Sequence, residues 1–359
     1  MEEFSAILRE DGSVDKAREP AVDDAQLLKI YETMRLIRLV DEKCMNLQRQ
    51  GRIGFYGTTT GEEAAVVGAA AALHGEDWVF PALRQSGIML YRGFPLYKYF
   101  AHLFGNAESV EMGRSMPCHY SDRDVNVVSW SSCMATQLVH AVGAAYAAKL
   151  KQDGNVTIGF MGDGATSESD FHHALNFAGV WKTPSVFFCN NNQWAISVPI
   201  SKQTASRSIA IKARAYGMPG VRLDGNDVLS VLVATQTAVA RARAGDGPTL
   251  IEAVTYRING HSTSDDPTRY RSDAEVESWR RRDPIDRFRK YLAKRGIWDD
   301  AKDAALTQRL NADIAEGVRR AEEADVPPTE TLITEVYAEP TPNLRAQYAD
   351  LLEAVGRDS

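Results

Sequence analysis

Between residues 155 and 256 the chain alternates short runs of β-branched and aromatic residues with longer stretches whose apolar positions recur at helical spacing. Residues 155–160 (NVTIGF) predict a buried strand, residues 169–180 a helix and residues 185–189 (SVFFC) the next strand, together one βαβ unit. Residues 227–244 carry Val, Leu and Ala at helical spacing, and residues 249–256 (TLIEAVTY) return as a strand. This alternation predicts an α/β fold with a mostly parallel sheet flanked by helices. Upstream, residues 135–150 predict a helix rich in Ala and Gly, whose small side chains permit close approach within the fold or of another subunit.

The ends of the chain follow a different pattern. Residues 1–28 predict a polar tail, residues 29–325 one domain and residues 326–359 a C-terminal extension that ends in a short helix. Within the domain, residues 261–283 (HSTSDDPTRYRSDAEVESWRRRD) are charged and poor in core residues, which predicts a surface excursion that is mobile without ligand.

Composition narrows the function classes. With 44% hydrophobic residues in 359, the chain can bury a large core. The net charge of −7, with both signs interspersed, leaves no basic face for a nucleic-acid backbone. The apolar stretches 64–75 and 138–148 fall short of the roughly 20 residues that span a bilayer, so no membrane partner is expected. Residues 1–24 lack the cationic start and apolar run of a secretory signal, and a cytoplasmic location is expected. Cys44, Cys118, Cys133 and Cys189 form no Cys-x-x-Cys pair and are expected as buried reduced thiols.

The chemistry concentrates in Gly162-Asp163-Gly164, directly after a predicted strand, and Asn191-Asn192, directly after the next one. Parallel strands bring both to the carboxyl edge of the sheet, where α/β folds bind ligands. The glycines allow unusual backbone angles and close approach of a ligand, and amides at the start of the following helix can face a phosphate. A diphosphate beside the Asp163 carboxylate needs a cation between the like charges. Magnesium suits that position, ligated by Asp163, the Asn192 side-chain oxygen and a backbone carbonyl near Trp194.

The stretch GDGATSESDFHHALNFAGVWKTPSVFFCNNNQWAIS resembles the thiamine-diphosphate motif of the alpha subunits of 2-oxo acid dehydrogenases. The resemblance extends through GRSMPCHY, SSCMATQ, VRLDGNDV, YRINGHSTSDDPTRYR and DPIDRFRKYL, and the branched-chain enzymes are the most similar. It implies the thiamine-diphosphate-binding fold, specifically the half that holds the diphosphate. It also implies that Asp163, Asn192 and the Trp194 carbonyl bind Mg2+, and that Gly162, Gly164 and Ala165 line the diphosphate. Arg84 would pair with the diphosphate through its planar fork. His261 would be the active-site histidine, donating a hydrogen bond or proton to a developing oxyanion. The remaining histidines, among them His119, His140, His172 and His173, are expected to be structural.

Further roles follow from the same resemblance. Ser132 and Met134 would support the cofactor, with Met134 as an apolar wedge that bends it, and Phe55, Leu83 and Met134 would line the substrate pocket. Ser131, the Cys133 carbonyl, Thr136 and Gln137 match a K+ site, and Ser262 and Ser272 match positions phosphorylated in mitochondrial relatives. Three positions depart from the pattern: Leu83 stands for an aromatic residue, Ala82 for an amide, and Asn190 for an arginine that contacts the diphosphate in some relatives.

The resemblance implies an alpha subunit that works with a beta subunit, in a heterotetramer of two alpha and two beta chains. The pair would decarboxylate a branched-chain 2-oxo acid on thiamine diphosphate and reductively acylate the lipoyl group of an acyltransferase core. The family places the glutamate that activates the cofactor on the beta chain, so this chain is expected to be inactive alone. Pyruvate or acetoin dehydrogenase specificity is the alternative within the family, and a non-catalytic binding module is the alternative outside it. Asp163, Asn192, Arg84 and His261 argue against the latter, and the lack of a Gly-x-Gly-x-x-Gly turn argues against a Rossmann protein.

Overall fold

The computed structural model describes residues 4–358. A two-residue strand β1 (Phe4–Ser5) precedes the long helix α1 (Asp24–Arg49), then α2 (Glu63–Ala71), β2 (Trp78–Phe80), α3 (Gly87–Tyr91) and α4 (Leu96–Phe104). The central part runs α5 (Thr136–Lys151), β3 (Thr157–Gly162), α6 (Ser169–Trp181) and β4 (Ser185–Asn191). A small hairpin of β5 (Trp194–Ala195) and β6 (Val198–Pro199) and a short α7 (Ile200–Gln203) follow, then β7 (Gly220–Asp224), α8 (Val228–Arg243) and β8 (Thr249–Val254). The chain ends in α9 (Asp273–Arg280), α10 (Pro284–Lys294), α11 (Asp300–Glu323), α12 (Thr331–Thr334) and α13 (Pro342–Asp358).

Six strands form one sheet in the order β1-β7-β8-β4-β3-β2, and all its ladders are parallel. Both faces are covered, as a parallel sheet requires. Along β3 and β4 the side chains alternate between two cores: Ile158, Phe160, Val186 and Phe188 face the core built with α1, α2 and α8, while Met161, Phe187 and Cys189 face α5 and α6. That alternation fixes the register of the central strands, because a slip by one residue would exchange the two faces. The strand and helix boundaries read from the sequence agree with these elements to within two residues.

The N-terminal segment differs from its expectation as a tail. β1 pairs with β7 at the sheet edge, and Ile7 and Leu8 are buried. Both of their amides donate to Asp227 Oδ2, at 2.6 and 2.8 Å, while Asp227 Oδ1 caps α8 through the amides of Leu229 and Ser230. A single buried carboxylate therefore caps a helix and clamps the segment. Helix α1, capped by Asp23, also begins upstream of the predicted domain boundary.

The excursion at 261–283 is organised. It contains a 3-10 turn at Pro267–Arg269 and the helix α9, capped by Ser272. Glu275 on α9 accepts from the Trp194 indole at 3.0 Å and from the Tyr256 hydroxyl at 2.8 Å. No helix among the described residues is long and apolar enough to cross a membrane.

Candidate active site

β3 and β4 are neighbours in register, with Gly162 opposite Asn190, so the Gly-Asp-Gly and Asn-Asn turns emerge side by side at the carboxyl edge. Asp163 is buried, and its Oδ2 has no hydrogen-bond partner. Burial pushes its carboxyl up to about 7; the neighbouring Glu62 carboxylate adds to this, while the Asn192 backbone amide opposes it. A buried anionic oxygen left unpaired is costly and calls for a cation. The main chain is also open at Gly162, where an added Cβ would meet nothing within 4 Å. At Gly164 a Cβ would lie 2.6 Å from Ala195 Cβ, so the hairpin packs directly on that glycine. Neither glycine has a positive φ, so both serve close approach and not the unusual backbone angles expected of them.

Asn192 Oδ1 accepts from the Trp194 amide at 3.3 Å, while its Nδ2 donates to Glu62 Oε1 at 2.8 Å. The Trp194 carbonyl accepts from Arg257 Nη1 at 3.2 Å, which leaves its second lone pair for a metal. Arg257 also donates to the Ile196 carbonyl at 2.7 Å. Ile196, β-branched at a φ of 54°, and Gln193, at 74°, are both held in the left-handed region, a strain that gathers at functional sites. Asp163, Asn192 and the Trp194 carbonyl each keep an oxygen lone pair of the hard kind that magnesium prefers.

Arg84 and His261 meet in the fold although distant in sequence. Arg84 Nη2 donates to the His261 carbonyl at 2.7 Å and lies 3.3 Å from His261 Nδ1, while Nη1 donates to the Thr58 carbonyl and Nε lies 3.5 Å from Glu62. Burial lowers the His261 imidazole to about 4, and the Arg84 and Arg257 guanidiniums add to that against Asp265. The ring is neutral at pH 7. With a guanidinium N–H facing Nδ1, the proton resides on Nε2, which makes His261 a neutral hydrogen-bond donor. Asp265 Oδ2 orients the turn by accepting from the His261 amide at 2.6 Å.

The predicted cofactor loop stands apart from these contacts. Ser132 Oγ lies 2.8 Å from His119 Nε2, and the His119 ring stacks on Trp130. Met134 is 46% exposed, an apolar side chain at the surface of this chain. Cys133 is also exposed, unlike the buried Cys44, Cys118 and Cys189, and all four are free thiols. Gln137 is buried with Oε1 unpaired, while Thr136 donates to Asp170 and Ser131 Oγ accepts from the Cys133 amide. Phe55 and Leu83 are partly buried against the larger core, and Leu83 rests on the space left by Gly57, where a Cβ would lie 3.0 Å away.

Glu62, Arg257 and Asp265 were not singled out in the sequence. Glu62 carried a signal: an acidic pair, Glu62-Glu63, opens the apolar run of α2, and both are buried. Asn190, in place of the arginine of some relatives, donates to Glu62 Oε2 at 3.0 Å.

Sequence comparison identifies the family to which this parallel sheet, with its unpaired buried acid and arginine–histidine pair at the carboxyl edge, belongs. The family model described as "Dehydrogenase E1 component" matches residues 31–330, and the chain belongs to that family. It is 47% identical over 331 residues to the 3-methyl-2-oxobutanoate dehydrogenase subunit alpha of Mycobacterium tuberculosis, covering 91% of this chain and 87% of the relative. It is 42% identical over 349 residues to the mitochondrial 2-oxoisovalerate dehydrogenase subunit alpha of Homo sapiens, covering 97% of this chain and 78% of the relative. The corresponding Arabidopsis thaliana alpha 2 subunit is 43% identical over 327 residues, covering 91% of this chain and 69% of the relative.

Proposed function

We propose that this chain is the alpha subunit of a branched-chain 2-oxo acid dehydrogenase of the 3-methyl-2-oxobutanoate dehydrogenase type, and that it holds the diphosphate end of thiamine diphosphate through Mg2+. The observation that carries this reading is the unpaired, buried Asp163 Oδ2 beside the open space over Gly162. The full-length similarity to alpha subunits of that name supports the substrate class.

When bound, the cofactor supplies the electron sink that allows a 2-oxo acid to lose carbon dioxide. This chain's residues bind and orient. Asp163, Asn192 and the Trp194 carbonyl would hold the metal, and the remaining Nη1 N–H of Arg84 would meet a diphosphate oxygen. His261, neutral and protonated on Nε2, would donate a hydrogen bond toward the reacting carbonyl oxygen. Ser132, held by His119, would support the cofactor. The unpaired Gln137 Oε1 supports a K+ site completed by Ser131, Cys133 and Thr136. The excursion at 261–283 is proposed to become protected from protease when the cofactor binds.

The glutamate that activates the cofactor would come from a beta subunit in an assembly of two alpha and two beta chains, which would acylate a lipoyl acyltransferase core. The test is carbon dioxide release from 3-methyl-2-oxobutanoate and from pyruvate, by the purified chain alone and after reconstitution with a beta subunit. Activity is expected only in the reconstituted pair and with preference for the branched substrate. Turnover by the chain alone, or a preference for pyruvate, would overturn the proposal.

A further inference from the structure

Glu62 is buried immediately before α2, and its carboxylate collects three groups from two separate parts of the chain. Oε1 accepts from Asn192 Nδ2 at 2.8 Å and lies 3.5 Å from Arg84 Nε, while Oε2 accepts from Asn190 Nδ2 at 3.0 Å. A side-chain amide has a donor end and an acceptor end of nearly the same shape, and only its partners decide which way it faces. A carboxylate accepts and does not donate, so it commits Asn192 to present Nδ2 inward and Oδ1 to the other side. Oδ1 then has only the Trp194 amide, at 3.3 Å, and keeps a lone pair for a hard cation. Turned over, the amide would offer that cation two N–H groups instead.

We propose that Glu62 is a positioning residue for the metal half of the site: it fixes the oxygen of Asn192 toward the cation and holds Arg84, without touching either metal or cofactor. The inference rests on the Mg2+–thiamine diphosphate reading above. Asn190 strengthens it. Its Oδ1 is buried without a partner, so this amide is free to turn and donate or accept as position 62 demands. Glu62→Gln therefore retains one acceptor for Asn192, while its new N–H group finds the turned Asn190 oxygen. Glu62→Leu, similar in volume, offers nothing to either.

The test measures free Mn2+ by electron paramagnetic resonance, with Mn2+ as the probe for Mg2+, on the full-length chain with its beta subunit at saturating thiamine diphosphate. Loss of an outer-shell partner costs roughly 10–100-fold in metal affinity, so Glu62→Leu should weaken Mn2+ binding by about that factor. Glu62→Gln should bind close to the parent. Melting of the metal-free complex measures the structural cost of Glu62→Leu, which leaves Arg84 without its buried carboxylate, and Mn2+ binding is compared at a temperature where both variant complexes stay folded. Equal Mn2+ affinity in Glu62→Leu and parent, or equal weakening in Glu62→Gln and Glu62→Leu, would overturn the assignment. A parent that binds neither Mn2+ nor thiamine diphosphate would sink the cofactor reading and this assignment with it.

Discussion

His261 Nδ1 lies 3.3 Å from Arg84 Nη2, and the same nitrogen of Arg84 donates to the His261 carbonyl at 2.7 Å. One guanidinium thus holds both the backbone and the ring of the histidine. It also discourages the ring from accepting a second proton. In the metal-free chain the imidazole should titrate near 4 by proton-detected NMR. That is below the ordinary 6.5, so the folded chain binds fewer protons here than the unfolded one between those values. The stability contributed by His261 is present above pH 6.5 and is lost as the pH falls through about 4. Arg84→Met should raise the titration only part of the way, because burial is the larger cause. A ring that titrates near 6.5 in the parent would contradict the neutral-donor role.

Asp163 makes the opposite prediction. Its folded value of about 7 lies above the ordinary 3.8, so its contribution is present below pH 3.8 and lost as the pH rises through 7. Asp41, also pushed up to about 7, acts in the same sense. Asp163→Asn should make the metal-free chain more stable at pH 8 by about 1–3 kcal/mol, the cost of an unsatisfied buried polar group, and should flatten the pH slope without abolishing it. The same substitution should abolish Mg2+-dependent cofactor binding. Urea unfolding at several pH values and calorimetry with thiamine diphosphate check the two halves.

The two glycines of the motif should separate binding from folding. Gly162→Ala places a methyl group in open space, so its melting temperature should match the parent while thiamine diphosphate affinity drops at least tenfold. Gly164→Ala drives a methyl group against Ala195 and should lower both, with about 1–3 kcal/mol of overpacking cost. Equal cofactor affinity in Gly162→Ala and parent would remove the diphosphate from that position.

Away from the site, Arg38 joins the buried Glu63 on α2 to Asp283, the cap of α10, with Nη2 2.9 Å from Asp283. Arg38→Met leaves Glu63 as an uncompensated buried charge, which should cost about 3–5 kcal/mol in denaturant unfolding. Arg38→Met paired with Glu63→Gln should recover most of it. A single substitution within about 0.5 kcal/mol of the parent would show that the pair does not bind α1 to α2.

The central strands were legible because β3, β4 and β8 are buried on both faces, which writes largely apolar runs into the chain. The N-terminal segment was not, since two apolar residues, Ile7 and Leu8, carry its packing and its anchor, Asp227, lies 220 residues from Ile7. The contacts of the excursion were hidden for a similar reason: Glu275 finds Trp194 and Tyr256 only once the sheet has formed.

The local sequence by itself determined the parallel α/β scaffold and the place of Asp163 and Asn192 at its edge, because strand periodicity and turn glycines are properties of neighbouring residues. Only the tertiary structure decided that Arg84 locks His261, that Glu62 orients Asn192, and that Met134 remains at the surface of this chain. Those outcomes depend on burial and on partners remote along the chain, and no local pattern of residue types encodes the desolvation that makes such pairings matter.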